Sequence, residues 1–342
     1  MTRVVVVGAT GNLGTAVLQR LSAERSVEVV GVARRMPDAR VAPYDAATWS
    51  AIDVGSRDAT AELTAAFHGA DAVIHLAWAL QPTHDIPAQH RTNVVGTANV
   101  LAAVARAGVP QVVVASSVGA YRGVDVEGKR QRVDESFPTD GIPTATYAIH
   151  KAANERALDA FALANPSVVV TRLRPGLVFQ RDVAAELRGL FLGPFVPMGI
   201  VRWIRWAVLP LPYAFVFQAV HAEDVADAFW RAVDRRAGGA FNIAAAPVLT
   251  PPRIARVLGM RGAVRMPYRL LRGIVTLTWR LRLQPTDAGW LDIAASVPIM
   301  STERARTELG WEARHSATDA LGALVAGFAD GANHPASGPL RG

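Results

Sequence analysis

Short apolar runs rich in valine alternate with helical patterns through the first half of the chain. Strands are expected at 3–8, 27–32, 50–54, 72–77, 111–116 and 168–173, and helices at 13–23, 59–67, 94–107 and 146–163. Alternation of this kind predicts an α/β fold, a doubly wound parallel sheet with helices on both faces. Strands that lack a clean polar alternation fit burial on both sides. Beyond Pro175 the texture changes. Residues 191–218 crowd Trp, Phe and Pro without a regular period, and 222–233 reads as a helix and 240–245 as a strand. A basic, apolar segment follows over 251–283, then closing helices at 302–309 and 317–328. The expected organisation is a sheet domain over 1–175, to which 219–246 returns, and a smaller lobe from 176–218 and 247–329. The Gly/Pro/Ala-rich tail, 330–342, is expected to be disordered.

Composition narrows the chemistry. Of 342 residues 51% are hydrophobic and none is cysteine, so disulfides, thiolate metal sites and cysteine nucleophiles are excluded. A reducing cytoplasm is the expected location. No histidine pair has a metal-ligand spacing such as His-Glu-x-x-His, and no metal is expected. The apolar run Val4–Val7 is too short for a signal peptide, and the uncharged stretch 206–220 is broken by Pro210 and Pro212 and too short to span a bilayer. The formal charge is +7, but the basic residues are scattered and, apart from Lys129 and Lys151, all arginine. This reads as compositional bias, and no nucleic-acid partner is expected. Residues 269–283 mix cations with apolar groups. They read as a helix of the smaller lobe in preference to a peripheral membrane contact.

The opening, Val4-Val5-Val6-Val7-Gly8-Ala9-Thr10-Gly11-Asn12-Leu13-Gly14, runs a buried strand through spaced glycines into a helix. Glycines let the backbone turn sharply and approach a pyrophosphate, while free amides at the helix start face the anion. Gly8, Thr10, Gly11, Asn12, Leu13 and Gly14 are therefore assigned to a dinucleotide, and the sheet to the Rossmann type. The next strand ends at Ala33 where an acid would signal NAD. Arg34 and Arg35 follow, and a guanidinium suits a ribose 2′-phosphate, so NADP is favoured with NAD as the alternative.

Tyr147-Ala148-Ile149-His150-Lys151 places a phenol and an ammonium on one helical face. A nearby ammonium and the positive nicotinamide ring are expected to pull the phenol from its usual pKa of about 10 toward the working range. Lysine can also reach the cofactor ribose. Val113-Val114-Ala115-Ser116-Ser117 brings hydroxyls to the carboxyl end of a strand, where open sheets bind ligands.

Together with Asn93, Arg172-Leu173-Arg174-Pro175-Gly176-Leu177-Val178, His221-Ala222-Glu223-Asp224-Val225 and Leu309-Gly310-Trp311, these segments resemble the extended short-chain dehydrogenases/reductases of the NAD-dependent epimerase/dehydratase type. The resemblance spans nearly the whole chain. It implies Tyr147 and Lys151 as catalytic pair, each also touching the cofactor, and Ser117, four residues before Tyr121, as catalytic serine, with Ser116 the less favoured neighbour. Asn93 matches a residue that orders the active-site helix and a relay water, although a plain helix cap is equally open. Asp53 with Val54 is implied at the adenine, or in a turn. Leu76, Ala77, Ser116, Pro175 and Val178 are implied along the cofactor, and His75 is read as a core histidine. Phe179-Gln180-Arg181 departs from the Gly-Pro common in nucleotide-sugar enzymes. An oxidoreductase for an alcohol/carbonyl pair is favoured over a nucleotide-sugar epimerase or dehydratase, and over a non-catalytic dinucleotide sensor. Phe191, Leu192, Phe195, Val196, Met198, Trp203, Trp206, Tyr213, Phe215 and Phe217 suggest a mostly apolar substrate. A homodimer through helices 94–107 and 146–163 is expected.

Overall fold

The computed structural model describes residues 1–80, 83–181 and 207–330. Of the aromatic stretch, Phe191, Leu192, Phe195, Val196, Met198, Trp203 and Trp206 lie outside the described residues, as does the tail 331–342.

The valine run becomes β1 (Thr2–Val7), whose four valines are fully buried. It pairs in parallel with β2 (Val27–Ala33) on one side and with β4 (Ala72–His75) on the other. With β3 (Ala47–Ala51), β5 (Gln111–Ala115), β6 (Val169–Pro175) and β7 (Gly239–Ile243) they form a seven-stranded parallel sheet. Its order is β7-β6-β5-β4-β1-β2-β3. The chain reverses its winding between β1 and β4, which opens a crevice at the carboxyl ends of these strands.

One face of the sheet is covered by α1 (Asn12–Ser22) and by the helix Ala222–Asp234, with Leu18, Leu21, Phe229 and Trp311 in its core. The other face carries helices Ala59–Ala66, Gly96–Ala107 and Thr146–Ala164, over a core that includes Leu63, Phe67, Val104 and Leu158. Residues 219–246 thus contribute a helix and the edge strand β7 to the main sheet.

Two expectations need correction. The third strand is Ala47–Ala51, not 50–54. Trp49 sets the register: it pairs with Gly31, and a Cβ at Gly31 would fall 2.6 Å from the indole. Asp53 therefore lies past the strand, where its Oδ1 accepts from Gly55 N at 2.9 Å in a tight turn. The helix expected from residue 94 is also interrupted. Ile86–His90 runs into a π turn at Arg91–Val95, and the α-helix resumes at Gly96–Ala107.

The chain outside the main sheet, which includes Ala219–His221, is built on short parallel pairs, Leu177–Phe179 with Ala219–His221 and Val208–Leu211 with Gly262–Arg265. Phe179, Leu249, Ile254, Leu321 and Leu324 form its core. Lys129 fastens this region. Its buried ammonium donates to the carbonyls of Ala214, Val216 and Ala294 at 2.7–3.1 Å.

Candidate active site

The turn after β1 has room for backbone alone. Gly8 has φ +86°, and a Cβ there would lie 2.5 Å from Ala77 N. A Cβ at Gly14 would collide with the Gly8 carbonyl, whereas one at Gly11 would meet only that oxygen, at 3.4 Å. The turn is braced against the end of β2 by Gly8 N and Ala9 N, which donate to Val32 O at 2.8 and 3.2 Å. No side chain caps α1 at Gly11, so its first amides face the crevice beside the turn. These features fit a dinucleotide pyrophosphate, which needs close backbone approach and unpaired amides. Arg34 and Arg35 emerge exposed just past β2, and Leu76 N donates to Val7 O as the chain leaves β4. From the smaller lobe, Gln180 donates its side-chain amide to Asn12 Oδ1.

Tyr147 sits in the first turn of the helix Thr146–Ala164, and its hydroxyl is hydrogen-bonded to Ser117. Ser117 Oγ also accepts from Gly119 N at 3.0 Å. Burial pushes the phenol up to about 12, opposed by the Ser117 bond. One turn later the Lys151 ammonium donates to Ala115 O at 2.8 Å, 5.7 Å from the centre of the Tyr147 ring. Burial lowers it to about 7, although Glu155 draws it back up. The ammonium is paired with Ala115 O and with the face of Trp78, 3.5 Å from that ring's centroid.

Ser116 is engaged elsewhere. Its Oγ donates to Glu155 Oε1 at 2.5 Å. Glu155, buried and one turn beyond Lys151, also receives Arg174 through two bonds of 2.9 Å and Arg172 at 3.2 Å. The two guanidiniums and the serine hold its carboxyl below the usual range against burial. Arg174 continues to the Tyr121 hydroxyl, which donates to Asn242 Oδ1 at 2.6 Å.

Asn93 occupies the π turn, a distortion frequent at functional sites. Its side chain grips both backbone groups of Ala79, accepting at 2.7 Å and donating at 3.2 Å. Its carbonyl receives Asn154 at 2.9 Å. Above Tyr147 the crevice is a recess lined by Trp78, Asn93, Tyr147, His150, Asp287 and Trp290. The Trp78 and Trp290 rings stand 5.5 and 5.1 Å from that of Tyr147. Burial raises the Asp287 carboxyl, which accepts from Gly289 N at 2.6 Å.

A family model for NAD-dependent epimerases/dehydratases matches residues 4–244. The chain belongs to this family. It is 30% identical over 321 residues, 93% of its length, to uncharacterised proteins of Mycobacterium tuberculosis and Mycobacterium bovis, and spans 29% of the length of those relatives. It is 26% identical over 337 residues, 94% of this chain and 95% of the relative, to a 4-hydroxy-2-methyl-3-oxo-4-farnesyl-3,4-dihydroquinoline-1-oxide ketoreductase of Stigmatella aurantiaca. In fold it is similar to a Thermotoga maritima UDP-glucose 4-epimerase solved with UDP-glucose, with TM-score 0.69, 20% identity and coverage of 96% and 99% of the two chains. A Thermus thermophilus UDP-glucose 4-epimerase in complex with NAD gives TM-score 0.65 at 21% identity, with the same coverage.

In this family member the fold gathers Ser117, Tyr147, Lys151 and Asn93 at the carboxyl ends of β4 and β5, next to the glycine turn. Pro175 ends β6 and Val178 lies in the strand Leu177–Phe179 that follows it. Val54 is buried against Gly96, and Asp53 is engaged by its own turn. His75 is a core residue: it is bonded to Thr97 Oγ1 at 3.0 Å, and burial lowers it to about 3. Sequence reasoning missed Glu155, Asp287 and Trp290. Glu155 was within reach, since it lies on the helical face of Tyr147 and Lys151. Asp287, just before the helix Gly289–Ser296, and Trp290, in its first turn, arrive from a distant part of the chain with no local signal. The His221–Glu223–His315 group, with ligand atoms within 4.8 Å of one another, also joins distant segments. There His221 caps its helix by accepting from Glu223 N at 3.3 Å, and His315 pairs with the buried Asp224 at 3.2 Å.

Proposed function

We propose that this protein is an NADP(H)-dependent oxidoreductase that reduces the carbonyl group of a mostly apolar molecule. The observation that carries the reading is the Tyr147 hydroxyl, bonded to Ser117 between the rings of Trp78 and Trp290 at the floor of a recess beside the glycine turn. A nicotinamide bound there supplies the hydride. Ser117 Oγ donates a hydrogen bond to the substrate oxygen, and Tyr147 gives that oxygen its proton as hydride adds to the adjacent carbon, leaving an alcohol and a tyrosinate. A phenol pushed up to about 12 stays protonated at neutral pH, which suits it to act as the acid in reduction. Lys151 would then stabilise the tyrosinate and hold the ribose of a bound dinucleotide. Arg34 and Arg35, exposed past β2, make no ion pair among the described residues and suit a 2′-phosphate.

Aromatic walls favour a planar or bulky apolar substrate, with Asp287 and His150 as polar contacts. The Stigmatella relative, named as a ketoreductase of a farnesylated quinoline, supports the same class. The test is NADPH consumption with bulky ketones and aryl aldehydes, run beside UDP-, GDP- and dTDP-sugars. Turnover is expected with the ketones. Conversion of nucleotide sugars alone would reassign the protein to epimerase or dehydratase chemistry, and cofactor binding without turnover of either group would favour a sensor.

A further inference from the structure

The helix Tyr268–Arg280 is amphipathic in the inverted sense. Its polar and aromatic stripe faces the protein: Tyr268 and Arg272 both bond to Asp292, and Trp279 stacks on His84 with ring centroids 5.0 Å apart. Positions 270, 274, 277 and 281 are offset from 268, 272, 275 and 279 by two residues, about 200° around the axis, and so point the opposite way. They hold Leu270, Ile274, Leu277 and Leu281, which are 48–60% exposed, and Leu283 continues the row at 52%. No residue of this helix is buried. A helix of a smaller lobe, the role expected from the sequence, would turn such a row inward.

Charge says what covers the row. Between Asp234 and Asp287 the chain carries ten arginines and no acidic residue. Arg265, Arg269, Arg280 and Arg282 are exposed around the leucine row, and of the helix's own arginines only Arg272 is paired with a carboxylate among the described residues. Apolar side chains flanked by guanidiniums match the interface of an anionic bilayer, where leucines enter the acyl boundary and cations meet phosphate headgroups. A nucleic acid would use the arginines and leave the leucines in water.

We infer that Tyr268–Leu283 is a docking surface for anionic lipid membranes, with the helix lying in the interfacial plane. Among the described residues no helix is long and apolar enough to cross a membrane, so contact here is peripheral. Thr83, next to the stacked His84, lines the active-site recess, so docking sets the mouth of that recess beside the bilayer. The surface stands independently of the proposed reduction, because vesicle binding alone reads it.

The test is sedimentation of the full chain with vesicles of phosphatidylcholine, with or without phosphatidylglycerol. Binding is expected only with the anionic lipid and is expected to weaken as salt is raised. Leu270→Asp/Leu277→Asp should reduce it at least about tenfold. Each of Arg269→Gln and Arg280→Gln should reduce it roughly fivefold. Val126→Asp, at an exposed position elsewhere, should leave it unchanged. Four results would overturn the inference: no binding to either vesicle, equal binding to both, full binding by the leucine variant, or a wild-type dimer that this variant splits while vesicles stay unbound. Retention of duplex DNA in place of vesicles would overturn it as well.

Discussion

The Lys151 ammonium rests 3.5 Å from the centroid of the Trp78 indole, with Ala115 O as its hydrogen-bond acceptor at 2.8 Å. Burial at this position brings the amine down to about 7 from 10.5. Between those values the unfolded chain holds a proton that the folded protein has released, so stability rises with pH across this window. One such group contributes a slope of up to about 1.4 kcal/mol per pH unit. Lys129, also lowered by burial to about 7, adds a slope of its own, so denaturant unfolding from pH 7 to 10 should show a slope that Lys151→Met reduces by one group's share without abolishing it. Trp78→Ala, which opens the ammonium to water, should move the window upward. Equal slopes in wild type and Lys151→Met would refute the assignment.

Tyr147→Phe should lower kcat by about 10²–10⁴-fold, the usual contribution of a positioned acid. Dinucleotide affinity should hardly change, because the phenol oxygen is directed at Ser117 and the substrate. A variant that keeps more than about a tenth of wild-type turnover would remove Tyr147 from the mechanism.

Arg34→Ala/Arg35→Ala should weaken NADPH binding while leaving NADH nearly untouched, since only the former carries the added phosphate. Loss of one charge-assisted contact is typically worth about 1.5–3 kcal/mol, or more than tenfold in Kd. Calorimetric titration of both cofactors checks this. Equal Kd values for NADPH and NADH in the unmodified protein would end the NADP assignment.

Glu155→Ala leaves Arg174, whose side chain is only 4% exposed, with no carboxylate among the described residues, while Arg172 keeps Asp159 at 2.6 Å. Breaking a buried ion pair from one side typically costs about 3–5 kcal/mol. Urea unfolding should report a loss of that size, and Ser116→Ala a much smaller one. A change below about 1 kcal/mol for Glu155→Ala would show that the cluster is not what holds β6 to the catalytic helix.

The main sheet was legible because Val4–Val7, Val112–Val114 and their neighbours are buried on both faces and leave unbroken apolar runs. The third strand was not. Ala47-Thr48-Trp49-Ser50-Ala51 has no β-branched run, while Ile52 and Val54 are apolar because they pack into the core from a loop. The strand is held by Trp49 over Gly31, a contact between neighbouring strands that no local pattern encodes. The glycine turn and the Tyr147–Lys151 pair were readable as local patterns at a fixed spacing, whereas Ser117 came only through the family resemblance. The walls of the recess were not, since Asp287 and Trp290 reach Tyr147 only through the tertiary fold. The lysines carried more signal than their number suggests. In a chain that otherwise uses arginine, both Lys129 and Lys151 are buried and donate to main-chain carbonyls, a task for a compact ammonium rather than a planar fork.

The π turn at Arg91–Val95 amounts to a change of phase within one helix. A surplus residue turns everything after it by about 100° relative to everything before. Asn93 can therefore meet Ala79 while Gly96, three residues on, packs so closely on Val54 that a Cβ would come within 2.7 Å of it. Deleting one residue here would restore an unbroken α-helical ladder, yet only one of those two faces would still be correctly aimed. The most regular version of this helix would then be the wrong one, and a redesign that scored local hydrogen bonding alone would choose it.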